Sequence, residues 1–242
     1  MKNILICTIA RNVGDKIHRY ERQLRELVDE FKDSFNFKIS IYENDSTDNT
    51  KELLQNIDFS IFQDHSLQME NIKTNFIGSV VSEERVRNLA NARNKAIFAK
   101  DSTMLEWSDY ILFVESDIAF SPKDYRPILN FDLSGLNDVD IFSGVSVADR
   151  NRLYDTWATR QYPEQTWGWL YNNPLNTVAQ YYSTFNCVCL YKSEPFKKGI
   201  SFHWFNKTTN NFDCDTVVIC DEFHRNGYNK VYINERVYCF QE

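Results

Sequence analysis

Tyr110-Ile111-Leu112-Phe113-Val114-Glu115-Ser116-Asp117-Ile118 carries five apolar residues straight into two carboxylates separated by one small residue. A continuous apolar run of this length reads as a strand buried on both faces. Acidic groups at its end stand at the carboxyl edge of a sheet, where open α/β folds bind ligands. If the extended backbone continues, Glu115 and Asp117 project to the same side. Two carboxylates so close repel unless a proton or a cation sits between them. The expected cation is a divalent metal, and its expected charge is a diphosphate.

The chain on the N-terminal side has the rhythm such a sheet requires. Asn3 to Ile9 reads as strand one, and from Gly14 the positions Ile17, Tyr20, Leu24, Leu27 and Phe31 recur at helical period. Phe37 to Tyr42 is strand two, Lys51 to Ile57 is helical, and Phe59 to Phe62 is a short third strand. Strand, helix, strand at these intervals is the βαβ pattern of a parallel sheet. Residues 63–82 are polar and read as irregular. Glu83 to Ala99 forms a helix whose apolar face, Val86, Leu89, Ala90 and Ile97, also carries Arg93. A guanidinium on an apolar stripe must find an acceptor.

On the C-terminal side Pro122 restarts a short helix and Asp140 to Val147 is a strand. Beyond Ala148 the chain turns aromatic and helix-poor, with Tyr154, Trp157, Tyr162, Trp167, Trp169, Tyr171, Tyr181 and Tyr182. Phe185 to Tyr191 reads as a strand, residues 192–213 as loops, and Asp215 to Arg225 as a helix closed by Asn226-Gly227. Val231 to Ile233 and Val237 to Phe240 read as two short final strands. No repeat, low-complexity segment or Pro/Gly-rich linker interrupts the chain. The expected organisation is one domain over residues 1–242, with a nucleotide-sugar-binding half at about 1–120 and an acceptor-binding half at about 121–242.

Composition narrows the function. The 242 residues are 43% hydrophobic and 25% charged, ordinary for a soluble globular protein, and suffice for an unstapled core. A net charge of −7 argues against a general nucleic-acid binder, which needs a basic face. Nothing approaches the ~20 apolar residues of a membrane span. Ile4 to Ala10 is at the short limit for a signal peptide's apolar run and has no small-residue cleavage site after it, so a first buried strand is the better reading. The six cysteines (Cys7, Cys187, Cys189, Cys214, Cys220, Cys239) match no zinc spacing and read as small buried hydrophobes. Of two glycosylation sequons, Asn44-Asp45-Ser46 falls in the loop after strand two, where a glycan would obstruct the site. A reducing cytoplasm is the expected location.

That loop, Glu43-Asn44-Asp45-Ser46-Thr47-Asp48-Asn49-Thr50, is dense in capping residues. One reading is a capped strand-to-helix loop. The other makes Glu43 the acceptor for ribose hydroxyls or a base N–H, as acids after strands do in nucleotide folds. With the acid pair after strand four, the loop looks like the donor loop and metal motif of GT-A glycosyltransferases. The blocks Arg87-Asn88-Leu89-Ala90-Asn91-Ala92-Arg93-Asn94, Phe113 to Ile118 and Tyr154-Asp155-Thr156-Trp157-Ala158-Thr159-Arg160 sharpen the likeness. They resemble the fungal capsule-associated mannosyltransferase family, whose characterised member is an α-1,3-mannosyltransferase. Phe185-Asn186-Cys187 and Cys214-Asp215 to Cys220-Asp221-Glu222 look like its later blocks, although that family usually carries Trp-Asn-Gly at the first of these.

The resemblance implies a GT-A fold: α/β, Rossmann-like, with a mostly parallel central sheet flanked by helices and a smaller acceptor-side subregion. It implies a hexosyltransferase taking mannose from GDP-mannose to a glycan acceptor, with retention, in capsule or surface polysaccharide synthesis. A hard cation, Mn²⁺ or Mg²⁺, would bridge the departing diphosphate. Asp117 is the first expected ligand, Glu115 the second, and His224 or His203 the third. Glu43, Arg93, Ala10, Arg11, Ser116 and Arg87 form the expected donor-binding set, Arg93 reaching the diphosphate or Glu43, or else a buried structural acid. Asp155, Asp215 and Glu222 form the catalytic set, with Trp157 offering a face to a pyranose ring. For Trp167 and Trp169 a core role competes with sugar stacking. Two rivals stand beside this reading. A sugar-nucleotide nucleotidyltransferase needs a Gly-rich phosphate loop near strand one, where Thr8 to Gly14 has a single glycine. A non-catalytic carbohydrate-binding protein would use the aromatic half.

Overall fold

The computed structural model describes residues 1–148, 152–165 and 177–241; Trp167, Trp169 and Tyr171 lie outside them. The strands are β1 (Lys2–Ala10), β2 (Phe35–Asn44), β3 (His65–Glu70), β4 (Tyr110–Val114), β5 (Ile118–Phe120) and β6 (Ile141–Ala148). They continue with β7 (Arg152–Leu153), β8 (Val178–Gln180), β9 (Val188–Lys192), β10 (Phe205–Asn206), β11 (Asn211–Phe212) and β12 (Val231–Gln241). The helices are α1 (Ile17–Phe31), α2 (Thr50–Gln55), α3 (Glu83–Ile97), α4 (Thr103–Trp107), α5 (Arg126–Leu129), α6 (Glu194–Lys197) and α7 (Asp215–Arg225).

The main sheet runs in the order β3-β2-β1-β4-β9-β6-β12-β5, with β7 added to β6 and β8 to β12. Along that path every strand except β9 and β5 points the same way. The expected, mostly parallel sheet is present, and β9 is threaded between β4 and β6. Strand β4 shows why the opening stretch is apolar throughout. Tyr110, Leu112 and Val114 enter the core shared with α1, whereas Ile111 and Phe113 enter the core shared with α3 and α7. Each fully buried side chain of this size contributes on the order of 1.5–3 kcal/mol. A polar residue anywhere in the run would strand a group in one layer or the other.

Three strand boundaries differ from expectation. Phe59–Ile61 is a single 3₁₀ turn, its start held by Asp58 accepting from Ser60 N, and the third strand is His65–Glu70. That strand lies at the sheet's edge with mostly half-buried residues, so it has no apolar run to announce it. The strand expected from Phe185 begins at Val188, because Asn186 and Cys187 take left-handed φ of 50° and 63°. The two final strands are one, β12, whose register against β6 shifts between Ile233 and Tyr238. The polar residues Asn234 and Glu235 in that interval are buried, not exposed in a turn. No helix among the described residues is long and apolar enough to cross a membrane. All six cysteines are buried and unpaired.

Candidate active site

At the carboxyl ends of β1, β2 and β4 lies a cleft of about 700 Å³. Ala10, Arg11, Asn44, Asn75 and Phe76 line one end. The floor is Glu115-Ser116-Asp117 with Arg93, and the far wall is Tyr154 to Trp157, Cys187 and Cys214 to Thr216. Of the expected site residues, Ala10, Arg11, Arg93, Glu115, Ser116, Asp117, Asp155 and Asp215 meet here, from segments more than 200 residues apart in sequence. Ser116 is buried and donates to Ile9 O (3.2 Å), tying the floor to β1.

The two acids do not share a strand face. β4 ends at Val114, and residues 115–117 form a turn before β5. Glu115 keeps the parity of Ile111 and Phe113 and meets the α3–α7 layer, where Oε1 lies 2.8 Å from Arg93 Nη2. Asp117 instead feels Arg19 and Lys16, at the start of α1 in the opposite layer. Among the described residues its carboxylate has no side-chain hydrogen bond or ion pair. Burial raises the Asp117 carboxyl. Burial also pushes Glu115 up to about 7, Arg93 opposing the rise and Asp117 adding to it.

Arg93 is paired, but not with Glu43. Its Nε donates to Asp215 Oδ2 at 2.7 Å, on the first residue of α7, and its Nη2 faces Glu115. The guanidinium carbon lies 4.3 Å from the ring centre of Phe185, 4.7 Å from Phe113 and 5.7 Å from Phe202. Nη1 is buried without a hydrogen-bond partner. Burial works against the charge, yet Glu115 and Asp215 outweigh it and raise the guanidinium's affinity for its proton.

Asp155 rests on a residue that sequence reasoning underrated. Its Oδ2 accepts from Asn186 N (2.7 Å), and burial pushes the carboxyl up to about 6. Asn186 has left-handed φ, and its buried amide is held from both ends. Oδ1 accepts from Ser146 N (3.1 Å), and Nδ2 donates to Thr184 Oγ1 (2.9 Å). The signal was the Phe185-Asn186-Cys187 block, whose third residue also has left-handed φ, the conformation that glycine takes without strain.

The loop after β2 serves the fold more than the cleft. Asn12 N donates to Ser46 Oγ (2.9 Å), Val13 N to Thr50 Oγ1 (2.8 Å) and Gly14 N to Asp48 Oδ2 (3.0 Å). The capped-loop reading holds for these side chains, and the amides between β1 and α1 are occupied. Gly14 lies so close to this loop that a Cβ would fall 2.0 Å from Asn49 Oδ1. Glu43 is fully buried and does not line the cleft; Oε1 accepts from Ser46 N (2.8 Å), and Oε2 lies 3.7 Å from Lys51 Nζ. The structure thus places the Glu43 carboxylate behind the cleft wall, not at the position expected for reading a nucleoside. Asp45, held as a carboxylate by Thr74 and Lys73 despite its burial, pins the segment that bears Asn75 and Phe76. Arg11 donates to Thr74 O (2.7 Å) and lies 5.5 Å from the Phe76 ring.

Three further expected residues face elsewhere. Arg87 lies on the exposed side of α3, paired with Glu83 at 2.5 Å and stacked on Trp204 at 4.5 Å. Glu222 pairs with Lys207 at 2.7 Å. His224 stacks on Tyr182, its Nε2 2.8 Å from Tyr182 O, and is absent from the cleft. His203, next to Ser201, is likewise absent. Arg87 and His224 stand on faces of α3 and α7 turned from the cleft, Glu222 lies two turns beyond Asp215 along α7, and His203 belongs to no helix. Arg160 is the buried partner of Asp213, not a cleft residue.

Among the described residues no three His, Cys, Asp or Glu side chains form a ready metal cage. The donor set still suits a hard cation. Asp117 offers, at the cleft floor, a half-buried carboxylate without an ion-pair partner among the described residues, and Mg²⁺ and Mn²⁺ take one or two protein oxygens, with phosphate and water completing the shell. Glu115 has one oxygen committed to Arg93, which leaves it the lesser ligand.

The family model described as Cryptococcal mannosyltransferase 1 matches residues 3–221. No curated protein matches the chain. Among solved structures, mannosyltransferase PcManGT from Pyrobaculum calidifontis, in complex with GDP-Man and Mn²⁺, is 13% identical with TM-score 0.56, over 99% of this chain and 56% of that one. S. aureus TarS 1–349 in complex with UDP-GlcNAc is 16% identical with TM-score 0.53, over 99% of this chain and 58% of that one. Glucosyl-3-phosphoglycerate synthase from Mycobacterium tuberculosis, with Mg²⁺ and UDP, is 14% identical with TM-score 0.53, over 100% of this chain and 72% of that one. The fold is of the GT-A type, and this chain spans less than two thirds of the length of TarS and PcManGT.

Proposed function

The chain belongs to the Cryptococcal mannosyltransferase 1 family, and from that premise we propose a metal-dependent hexosyltransferase acting from a nucleoside diphosphate sugar onto a saccharide hydroxyl. The observation that carries the metal and donor is Asp117: a half-buried carboxylate on the floor of the cleft, with no ion-pair partner among the described residues. GDP-mannose is the first donor to try, because PcManGT was solved with it. One domain spanning residues 1–242 is the reading supported by a sheet that passes through both halves.

The residues divide the work as follows. Arg11 and Asn44, with Phe76 above them, receive the nucleoside at the ends of β1 and β2. Asp117 holds the cation, Lys16 stands beside it, and Glu115 lends a second oxygen through water. A divalent metal supplies charge for the departing diphosphate. Asp155 and Trp157 face the sugar, and a carboxyl poised at about 6 exchanges protons readily near neutral pH. Asp215, tied to Arg93, orients the acceptor. With no unpaired carboxylate at that position, retention, in which the leaving phosphate takes the acceptor's proton, is the stereochemistry we propose. The nucleotidyltransferase alternative loses support, because the β1–α1 amides that would cradle a triphosphate are held by Ser46, Asp48 and Thr50.

The test is direct. Purified protein mixed with GDP-mannose, UDP-sugars, Mn²⁺ and candidate acceptors should release a nucleoside diphosphate. Asp117→Ala should abolish metal-dependent nucleotide binding in calorimetry, and Glu115→Ala should only weaken it. No release from any combination, or equal losses from both variants, would sink the reading.

A further inference from the structure

We infer that Arg93 is a positioning residue, not a phosphate ligand: it ties the turn at the end of β4 to the first residue of α7 and so fixes the donor floor against the acceptor wall. The inference rests on the transferase reading and deepens it. Arg93 comes from α3, which belongs to neither of the parts it joins. Its Nη2 holds Glu115 at 2.8 Å and its Nε holds Asp215 at 2.7 Å, across 122 residues of sequence. The third nitrogen, Nη1, is sealed from solvent. A diphosphate would therefore have to displace one of two carboxylates or open the aromatic box of Phe113, Phe185 and Phe202.

The surroundings lock the tie from the same direction. Asn94, the next residue of α3, grips the Phe202 backbone twice, Nδ2 to Phe202 O and Oδ1 from Phe202 N, both at 2.9 Å. The box wall and the cation it encloses are thus carried on one turn of one helix. A planar fork is what this geometry needs. An ammonium in its place reaches one acid at a time and cannot lie flat between rings. With the fork intact, Glu115 is drawn towards α3 while Asp117 stays free for the cation. Asp215 is held at the mouth of α7 with a fixed distance to the floor.

Arg93→Lys separates the two roles. With the donor that the wild-type protein turns over, at saturation, kcat should fall by about 100-fold, the usual cost of misplacing a reacting group. Affinity for GDP or UDP with Mn²⁺, measured by calorimetry, should change by less than about threefold, since no phosphate contact is lost. Cys214, the buried neighbour of Asp215 at the cleft wall, should be alkylated by iodoacetamide about tenfold faster, as the start of α7 opens more often. Peptide mass mapping separates it from Cys187. A loss of nucleoside diphosphate affinity of about tenfold or more, with or without loss of kcat, makes Arg93 a phosphate ligand and overturns the inference. So does an unchanged kcat.

If Arg93→Lys does not fold, Phe185→Leu opens one wall of the box without touching a charge. It should lower kcat by about tenfold with nucleotide affinity kept and Cys214 exposed faster. Unchanged kcat and unchanged labelling there would overturn the tie. Should the wild-type protein turn over no sugar nucleotide, the transferase reading has failed. Labelling of Cys214 in Arg93→Lys still decides the tie, and no acceleration rejects it.

Discussion

Replacing Arg160 by Met tests whether this part of the Tyr154 to Arg160 block binds substrate or builds the wall. Arg160 and Asp213 are 2% and 6% exposed, and the fork meets both carboxylate oxygens, Nη1 to Oδ2 at 2.7 Å and Nη2 to Oδ1 at 2.5 Å. The same carboxylate accepts from Cys214 N (2.8 Å) and Asn206 Nδ2 (3.1 Å), so it sits one residue before the segment that presents Asp215. Removing one partner of a buried pair leaves an uncompensated charge and costs about 3–5 kcal/mol. In a chain of this size, ~1 kcal/mol moves the melting temperature by about 2–4 °C, so the drop should be about 6–20 °C. Urea denaturation measures the free energy, and an unchanged slope with denaturant checks that the unfolded state is the same. Arg160→Met with Asp213→Asn removes the stranded charge and keeps an oxygen for Cys214 N, so most of the loss should return. A loss below about 1 kcal/mol, or a double variant as unstable as the single, would refute the assignment. Abolished activity with undiminished stability would return Arg160 to the substrate.

Further outcomes follow from the same contacts. Arg87→Ala and Glu222→Gln should each leave kcat/KM within about twofold, because both side chains are paired outside the cleft; a loss of tenfold or more in a turnover assay would put them back in the site. Asp155→Asn should reveal the carboxyl's raised affinity for its proton. An acid with a folded-state value of about 6 holds a proton that the unfolded chain has already lost above about 4, so its contribution to stability declines as pH rises from about 4 to about 6 and stays low above. The variant lacks this decline. Its stability relative to the wild type should therefore grow by about 1–2 kcal/mol across that window, less than full burial would give because Asp155 is partly exposed. A difference independent of pH in paired urea titrations would show that the Asp155 proton is not what burial says it is.

The fold was legible because parallel strands covered on both faces have no alternative composition. β4 is apolar throughout and β1 is so from Ile4 to Ala10 apart from Thr8, so both were read within a residue or two of their limits, and α1 repeats at helical period from Ile17, just after the 3₁₀ turn at Gly14–Lys16. β3 was missed because an edge strand needs few apolar residues, and β12 was split because its register shift buries Asn234 and Glu235. The site was legible by chemistry and illegible by direction. The demand that Arg93 find an acceptor was correct, yet nothing in the spacing chose Asp215, 122 residues away, over Glu43. The loop after β2 showed the converse problem. Ser46, Asp48 and Thr50 are equally good ligands for a nucleotide and for the amides of residues 12–14, and only packing decided for the amides.

The carboxylates at the end of β4 show why direction matters more than proximity. In a continued strand Glu115 and Asp117 would face one layer, compete for one cation and share one fate. The turn that begins at Glu115 breaks this symmetry. Glu115 inherits the α3–α7 side, where Arg93 already waits, and Asp117 passes to the α1 side, where Arg19 and Lys16 act on it. Burial raises both carboxyls, but among the described residues only Glu115 has an ion-pair partner, Arg93, whereas Arg19 and Lys16 act on Asp117 without pairing with it. In the proposed reaction a cation arriving with a diphosphate would pair with Asp117 only while the substrate is bound, so the residue whose burial is costly in the empty cleft would favour the filled one. The inequality of the two acids is thus a consequence of where β4 stops, and Val114 is the residue at which it is decided.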